Sequence, residues 1–228
     1  MAFLVDPSRP FVPLTAPPGV YAPQADTFLL ARAVHREGPA PGTDVLDLGT
    51  GTGTLAICAA RSGARVTAVD IAWRAVFAAR LNALRSRQRL TVHRGDLLEP
   101  VEGRSFDMII SNPPYVPTPP SELSGAHGRE RAWNAGPDGR TVLDRLCAEA
   151  PRALRPGGVL LIAQSALSGT EETLDRLAGS GLRATVSDRA YIPFGPVLRS
   201  RLPWLRESGR VAAREENEEL VIVRAERT

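Results

Sequence analysis

Short apolar runs alternate with amphipathic stretches along most of the chain. The run at 44–48, Asp44-Val45-Leu46-Asp47-Leu48, is short, apolar and closed by glycine, which predicts a buried strand. Runs at 65–69, 90–93, 106–111 and 159–164 read the same way, and alternating runs at 182–187 and 219–224 complete seven predicted strands. Apolar residues at helical spacing occupy 54–61, 72–85, 138–154 and 171–177. A further helix is predicted over 26–37, with Leu29, Leu30, Ala33 and Val34 on one face and Gly38-Pro39-Ala40-Pro41-Gly42 as its stop. Strand and helix in alternation predict an α/β fold: a mostly parallel sheet with helical crossovers on both faces.

Three stretches lack periodicity. Residues 1–20 are proline-rich and read as part of an N-terminal arm or lid spanning 1–37. Residues 116–136 form a long loop after the fourth strand, where loops of more than about 15 residues are commonly functional. Residues 189–218 read as an insertion, a β-like arm or a short helix around Trp204. Neither a repeat nor a linker divides the chain, so one domain over 1–228 is expected.

Composition narrows the class. Hydrophobic residues at 43% and charged residues at 23% are ordinary for a globular chain and exclude global disorder, collagen and coiled coil. No apolar run is long enough for a membrane span, and the start lacks a signal peptide's basic n-region, so a cytoplasmic location is expected. Cys58 and Cys147 form no CxxC pair, and His35, His93 and His127 are scattered, so no metal site is expected. The cysteines read as small core residues, His93 as packed or at an edge, and His127 as a candidate substrate contact. All 28 basic residues are arginine, yet the formal net charge is only +3, which argues weakly for a nucleic-acid partner. Arg80, Arg85, Arg87, Arg89 and Arg94 read as a solvated margin.

The chemistry gathers at the predicted strand ends. Gly49-Thr50-Gly51-Thr52-Gly53 follows the first strand as GxGxG. Thr54 stands where a dinucleotide fingerprint needs glycine, and no GK[ST] follows, so neither NAD nor a nucleoside triphosphate is indicated. Asp70 ends the second strand, where a carboxylate can take both hydroxyls of a ribose or cap the next helix. Asp96 ends the third, as an acceptor for an adenine amino group or a turn residue. Trp73 either stacks on adenine or anchors the core. Such features at consecutive strand ends predict an adenosine-containing cofactor.

Asn112-Pro113-Pro114-Tyr115 closes the fourth strand. Two prolines remove two backbone donors, so the Asn112 side-chain oxygen and the Pro113 carbonyl remain as acceptors beside the Tyr115 ring. That set suits a planar –NH2 group. Holding both of its hydrogens favours pyramidal nitrogen, frees the lone pair and stabilises the positive charge that develops on nitrogen. The bland alternative is a rigid turn.

Asp47-Leu48-Gly49-Thr50-Gly51-Thr52-Gly53, Asp70, Asp96 and Asn112-Pro113-Pro114-Tyr115 together resemble the class I S-adenosylmethionine-dependent methyltransferases, and within them the HemK/PrmC protein-glutamine N5-methyltransferases of the short branch without an N-terminal helical domain. The resemblance covers roughly 20–190 and includes Tyr21 to Leu30 as a cofactor-covering segment and Trp133 to Gly139 after the fourth strand. Ala22 and Ala25 depart from it, standing where acids are common. It implies a seven-stranded Rossmann-like sheet and S-adenosylmethionine as cofactor. The implied cofactor residues are Tyr21, Thr27, Asp47, Gly49, Thr50, Gly51, Gly53, Asp70, Ile71, Asp96, Leu97 and Asn112; Asn112, Pro113 and Tyr115 hold the acceptor. It implies N-methylation of a glutamine in a translation release factor and a small zinc-binding activator as a possible partner. Alternatives are a small-molecule N-methyltransferase, an adenine N6 or guanine N2 methyltransferase, and a binding subunit without activity.

Overall fold

The computed structural model describes residues 14–123 and 135–228. His127, Trp133, Asn134 and most of the predicted substrate loop lie outside them, as does the start of the arm. The described chain folds into one seven-stranded sheet ordered β3-β2-β1-β4-β5-β7-β6. The strands are β1 (Asp44–Leu48), β2 (Arg65–Asp70), β3 (Leu90–Arg94), β4 (Phe106–Ser111), β5 (Leu154–Ser165), β6 (Leu182–Pro193) and β7 (Asn217–Arg227). Only β7 runs antiparallel to its neighbours.

Seven helices accompany the sheet among the described residues: α1 (Ala25–Glu37), α2 (Thr54–Arg61), α3 (Trp73–Arg85), the four-residue α4 (Pro120–Leu123), α5 (Thr141–Ala153), α6 (Thr170–Gly179) and α7 (Pro196–Glu207). From β1 the chain steps outward through α2 and α3 to β3, then returns to β4 on the other side of β1. Right-handed crossovers therefore place α2 and α3 on one face and α5 and α6 on the other. α1 packs on α2, and α5 on α6. The reversal of strand order between β1 and β4 is the switch point at which open α/β sheets form a ligand crevice. Val45, Leu46, Leu48, Ile109, Ile110, Leu160, Leu161 and Ile162 are buried without residual exposure, as expected of central strands covered on both faces.

Three boundaries differ from the sequence reading. β5 begins at Leu154, so Arg155-Pro156-Gly157-Gly158 is a bulge within the strand rather than a turn before it; the register against β4 shifts between Phe106 and Met108. The predicted helix over 138–154 starts at Thr141, because Gly139 has φ +78° and the Asp138 carboxylate accepts from Arg140 N at 2.9 Å in a tight turn. The stretch 189–218 opens as the second half of β6, which pairs with β7 as far as Pro193, and then forms α7, which contains Trp204. Phe194, Leu198, Leu205 and Val211 give it a small core of its own, packed against Val116. Among the described residues no helix is long and apolar enough to cross a membrane.

Candidate active site

A cavity of about 620 Å³ opens at the carboxyl ends of β1, β2 and β4. That is within the usual size of a small-molecule site. The turn after β1 forms its floor. Gly49, Gly51 and Gly53 have φ of +72°, +56° and +81°, a left-handed run that side chains with a Cβ rarely adopt. Gly49 and Thr50 both donate their amides to Val69 O, tying the turn to the end of β2.

Asp70 joins the two strand ends. Its Oδ2 accepts from Gly51 N at 2.9 Å and its Oδ1 from Ala72 N at 2.9 Å, and burial raises its pKa. Each oxygen keeps a lone pair, and Asp70 lines the cavity. The capping contact at the start of α3 and a place on the cavity wall thus coexist in one carboxyl group. Asp96 also lines the cavity, but the Arg145 guanidinium from α5 sits 3.0 Å from both of its oxygens. Sequence reasoning had no access to that pair, which spans 49 residues. Ile71 and Leu97 complete this end, Leu97 with a left-handed backbone at φ +45°.

Two expected cofactor residues, Asp47 and Gly53, do not line the cavity. Asp47 is wholly buried behind it, where its Oδ2 accepts from the Thr50 hydroxyl at 2.6 Å and Ala56 N at 3.1 Å; burial pushes its pKa up to about 7. Its place is to hold the glycine turn. Gly53 serves packing: a Cβ there would stand 3.0 Å from Ala79 Cα on α3. Gly53→Ala should therefore cost about 1–3 kcal/mol through backbone strain and this contact, lowering the melting temperature by several degrees. An unchanged melt would contradict the packing role. Trp73 neither stacks in the cavity nor anchors the core: it is 59% exposed on α3. Cys58 and Cys147 sit on α2 and α5.

The second half of the cavity lies beyond β4. Ser111 donates to Leu48 O at 2.8 Å, fixing the strand end from which Asn112 projects. Asn112, Pro113 and Tyr115 all line the cavity, with Tyr21 and Thr27 across from them on the arm and α1. The Asn112 Nδ2 donates to Asp26 Oδ2 at 3.0 Å, while Asn112 Oδ1 has no partner among the described residues. The Tyr115 and Tyr21 hydroxyls converge on the same Asp26 oxygen at 3.0 and 2.8 Å. Burial, then the Asp26 charge, pushes both phenol pKa values well above 10, so both remain donors.

Asp26 is the residue that sequence reasoning missed. An acid in a helix's first turn reads as a partner of the helix dipole, and nothing local announces a contact 86 residues away. The only available signal was its place in the segment Tyr21 to Leu30 that carries the family resemblance.

α7 and the loop complete the wall. Arg201 donates to Pro117 O at 3.0 Å and pairs with Glu122 at 2.7 Å, so α7 holds the chain leaving Pro114, and Val197 reaches the cavity. A Cβ on Gly139 would collide with the Tyr115 carbonyl, which packs that turn against the motif.

Glu218 lies behind the tyrosines, 5% exposed, and burial pushes its pKa up to about 7 against a weaker opposing hydrogen bond from Ser165. A carboxyl with a raised folded pKa binds more protons folded than unfolded, so its contribution to stability falls as pH rises from about 4.5 to about 7. Glu218→Gln abolishes that loss. Its melting temperature relative to wild type should climb across the window, by an amount equivalent to up to about 3 kcal/mol. A pH-independent difference would show that folding leaves the Glu218 pKa unshifted.

The chain matches the Methyltransferase small domain family over residues 12–124. It is 38% identical to the putative protein N5-glutamine methyltransferase of Methanocaldococcus jannaschii over 178 residues, 78% of this chain and 88% of that protein. It is 35% identical to the release factor glutamine methyltransferase of Geobacter sulfurreducens over 151 residues, 64% of this chain but 53% of that protein, so it spans about half the length of that bacterial relative. Among solved structures, the E. cuniculi Mtq2-Trm112 complex responsible for methylation of the eRF1 translation termination factor superposes with a TM-score of 0.66 at 26% identity, over 92% of this chain and 99% of the matched one.

Proposed function

The chain belongs to the HemK/PrmC-like glutamine methyltransferases, in the branch of Mtq2, and from that premise we propose that it transfers a methyl group from S-adenosylmethionine to the side-chain amide nitrogen of a glutamine in a translation release factor. The observation that carries the reading is the buried Asn112 Oδ1, without a partner among the described residues, on a side chain that lines the cavity beside Pro113. An unsatisfied buried acceptor is costly unless a ligand completes it. A primary amide brings the two donors that Asn112 Oδ1 and the Pro113 carbonyl can take.

The cavity suits the cofactor by its own features. Asp70 retains lone pairs for ribose hydroxyls, and the glycine turn lets a ligand approach the backbone. Asp96 and Leu97, with Arg145, would border the adenine, and Tyr21 and Thr27 would close over the cofactor. The bound cofactor supplies an electrophilic methyl group. The protein supplies orientation: with both amide hydrogens held, the nitrogen lone pair is the free direction, and alignment accounts for much of the gain. The two acceptors favour the positive charge that grows on nitrogen. No strong base is required, because an N-alkylated amide cation sheds its proton readily.

Methyl-labelled S-adenosylmethionine, the enzyme, a release factor and structured RNA in one reaction test the reading, with and without a small zinc-binding activator, the possible partner in this branch. Label in the release factor is expected. Label confined to the RNA would move the acceptor to a base amine, and absence of transfer in all arms would overturn the reading.

A further inference from the structure

We propose that Asp26 is a positioning residue that sets which end of the Asn112 amide faces the acceptor; the inference rests on the amide-methylation reading and deepens it. An asparagine side chain has nearly the same shape after a half-turn about its last bond, yet the two orientations do opposite things here. With Oδ1 toward the cavity the site accepts from an incoming –NH2. With Nδ2 toward the cavity, donor meets donor and the acceptor is expelled. Neither the strand end nor the two prolines choose between them, because they fix the backbone of Asn112 and not its terminal torsion.

The choice is made at the other end of the amide. Asp26 Oδ2 stands 3.0 Å from Nδ2 and has no hydrogen to offer, since two tyrosine hydroxyls already donate to it. Asp26 Oδ1 accepts from Thr27 N at 2.6 Å and the Thr27 hydroxyl at 3.2 Å. Five donors on one buried carboxyl group leave it only the role of acceptor. A flipped Asn112 would set its oxygen against Asp26 Oδ2 in a buried site, the contact that a low local dielectric penalises most. Tyr21 and Tyr115 therefore act on the reacting amide at second hand, by pinning the carboxyl that orients Asn112. Glu218 faces the same group from β7 without touching Asn112, and shares in the charge felt by both tyrosines.

The cycle Asp26→Asn, Asn112→Asp and the double exchange tests this, in the full chain, on a glutamine peptide that the wild type methylates. Asp26→Asn should lower kcat about 10- to 100-fold while the Kd for S-adenosylhomocysteine stays within about threefold. Asn112→Asp alone sets two carboxyls against each other, so its residual rate should depend on pH as they share a proton. The double exchange restores one carboxylate and one amide across the contact, and should regain at least about tenfold over Asn112→Asp and lose that pH dependence. A second readout needs no acceptor: the Asn112 side-chain amide NMR signal of the ligand-free protein should move in Asp26→Asn. Wild-type kcat in Asp26→Asn, or a double exchange as slow as the product of the single losses, would overturn the proposal. If the wild type methylates no amide, the functional reading fails, while an unmoved Asn112 signal would still overturn the positioning role by itself.

Discussion

Replacing Asn112 by alanine is expected to lower the single-turnover rate of methyl transfer by at least about 10²-fold, the usual scale for losing one preorganised polar group that acts in the transition state. Cofactor affinity should fall far less than the rate, because Asp70, Asp96 and the glycine turn belong to other strand ends and keep their places in the cavity. The fold should survive as well: Asp26 keeps its four other donors, and Ser111 still ties β4 to β1. Calorimetry with S-adenosylhomocysteine beside rapid-quench transfer separates the two effects. A variant that binds normally and transfers at the wild-type rate would reduce Asn112-Pro113-Pro114-Tyr115 to a rigid strand terminator.

Asp70→Ala has the opposite signature. Hydrogen bonds to a charged group are worth about 1.5–3 kcal/mol, so cofactor affinity should fall roughly 10- to 150-fold. The carboxyl also receives Gly51 N and Ala72 N. Losing it frees two amides, one in the glycine turn and one at the start of α3, and the melting temperature should drop by several degrees besides. Titration of cofactor at a temperature well below the melt distinguishes the outcomes. Full affinity in a destabilised variant would leave Asp70 as a cap alone.

These two variants probe residues whose roles are legible in the sequence itself. The strand-end residues are legible because each ends its strand or directly follows it: Asp70 closes β2, Gly49 follows β1 and Asn112 follows β4. Glycine at a left-handed turn and asparagine before two prolines leave a local signature. Asp26 and Arg145 leave none, since their meaning lies in contacts 86 and 49 residues distant. Trp73 shows the converse. Its place after Asp70 suggested adenine, whereas the helix turns its ring to solvent. The glycine pair before the fifth strand looked like a turn because a bulge and a turn use the same residues; only the pairing of Phe106 with Leu154 tells them apart. The stretch 189–218 reads equally as arm or helix in sequence, because the small core of α7 depends on Val116 from another part of the chain.

Tandem mass spectrometry of the release factor after a single turnover tests most directly whether a glutamine side-chain nitrogen receives the methyl group, with the same release factor carrying alanine for the modified glutamine as the control. One added methyl is expected, located by fragmentation on a glutamine side chain, retained through mild alkali and absent from the control. A methyl group on a carboxylate, lost in alkali as an ester is, or on lysine, arginine or the peptide backbone, would contradict it.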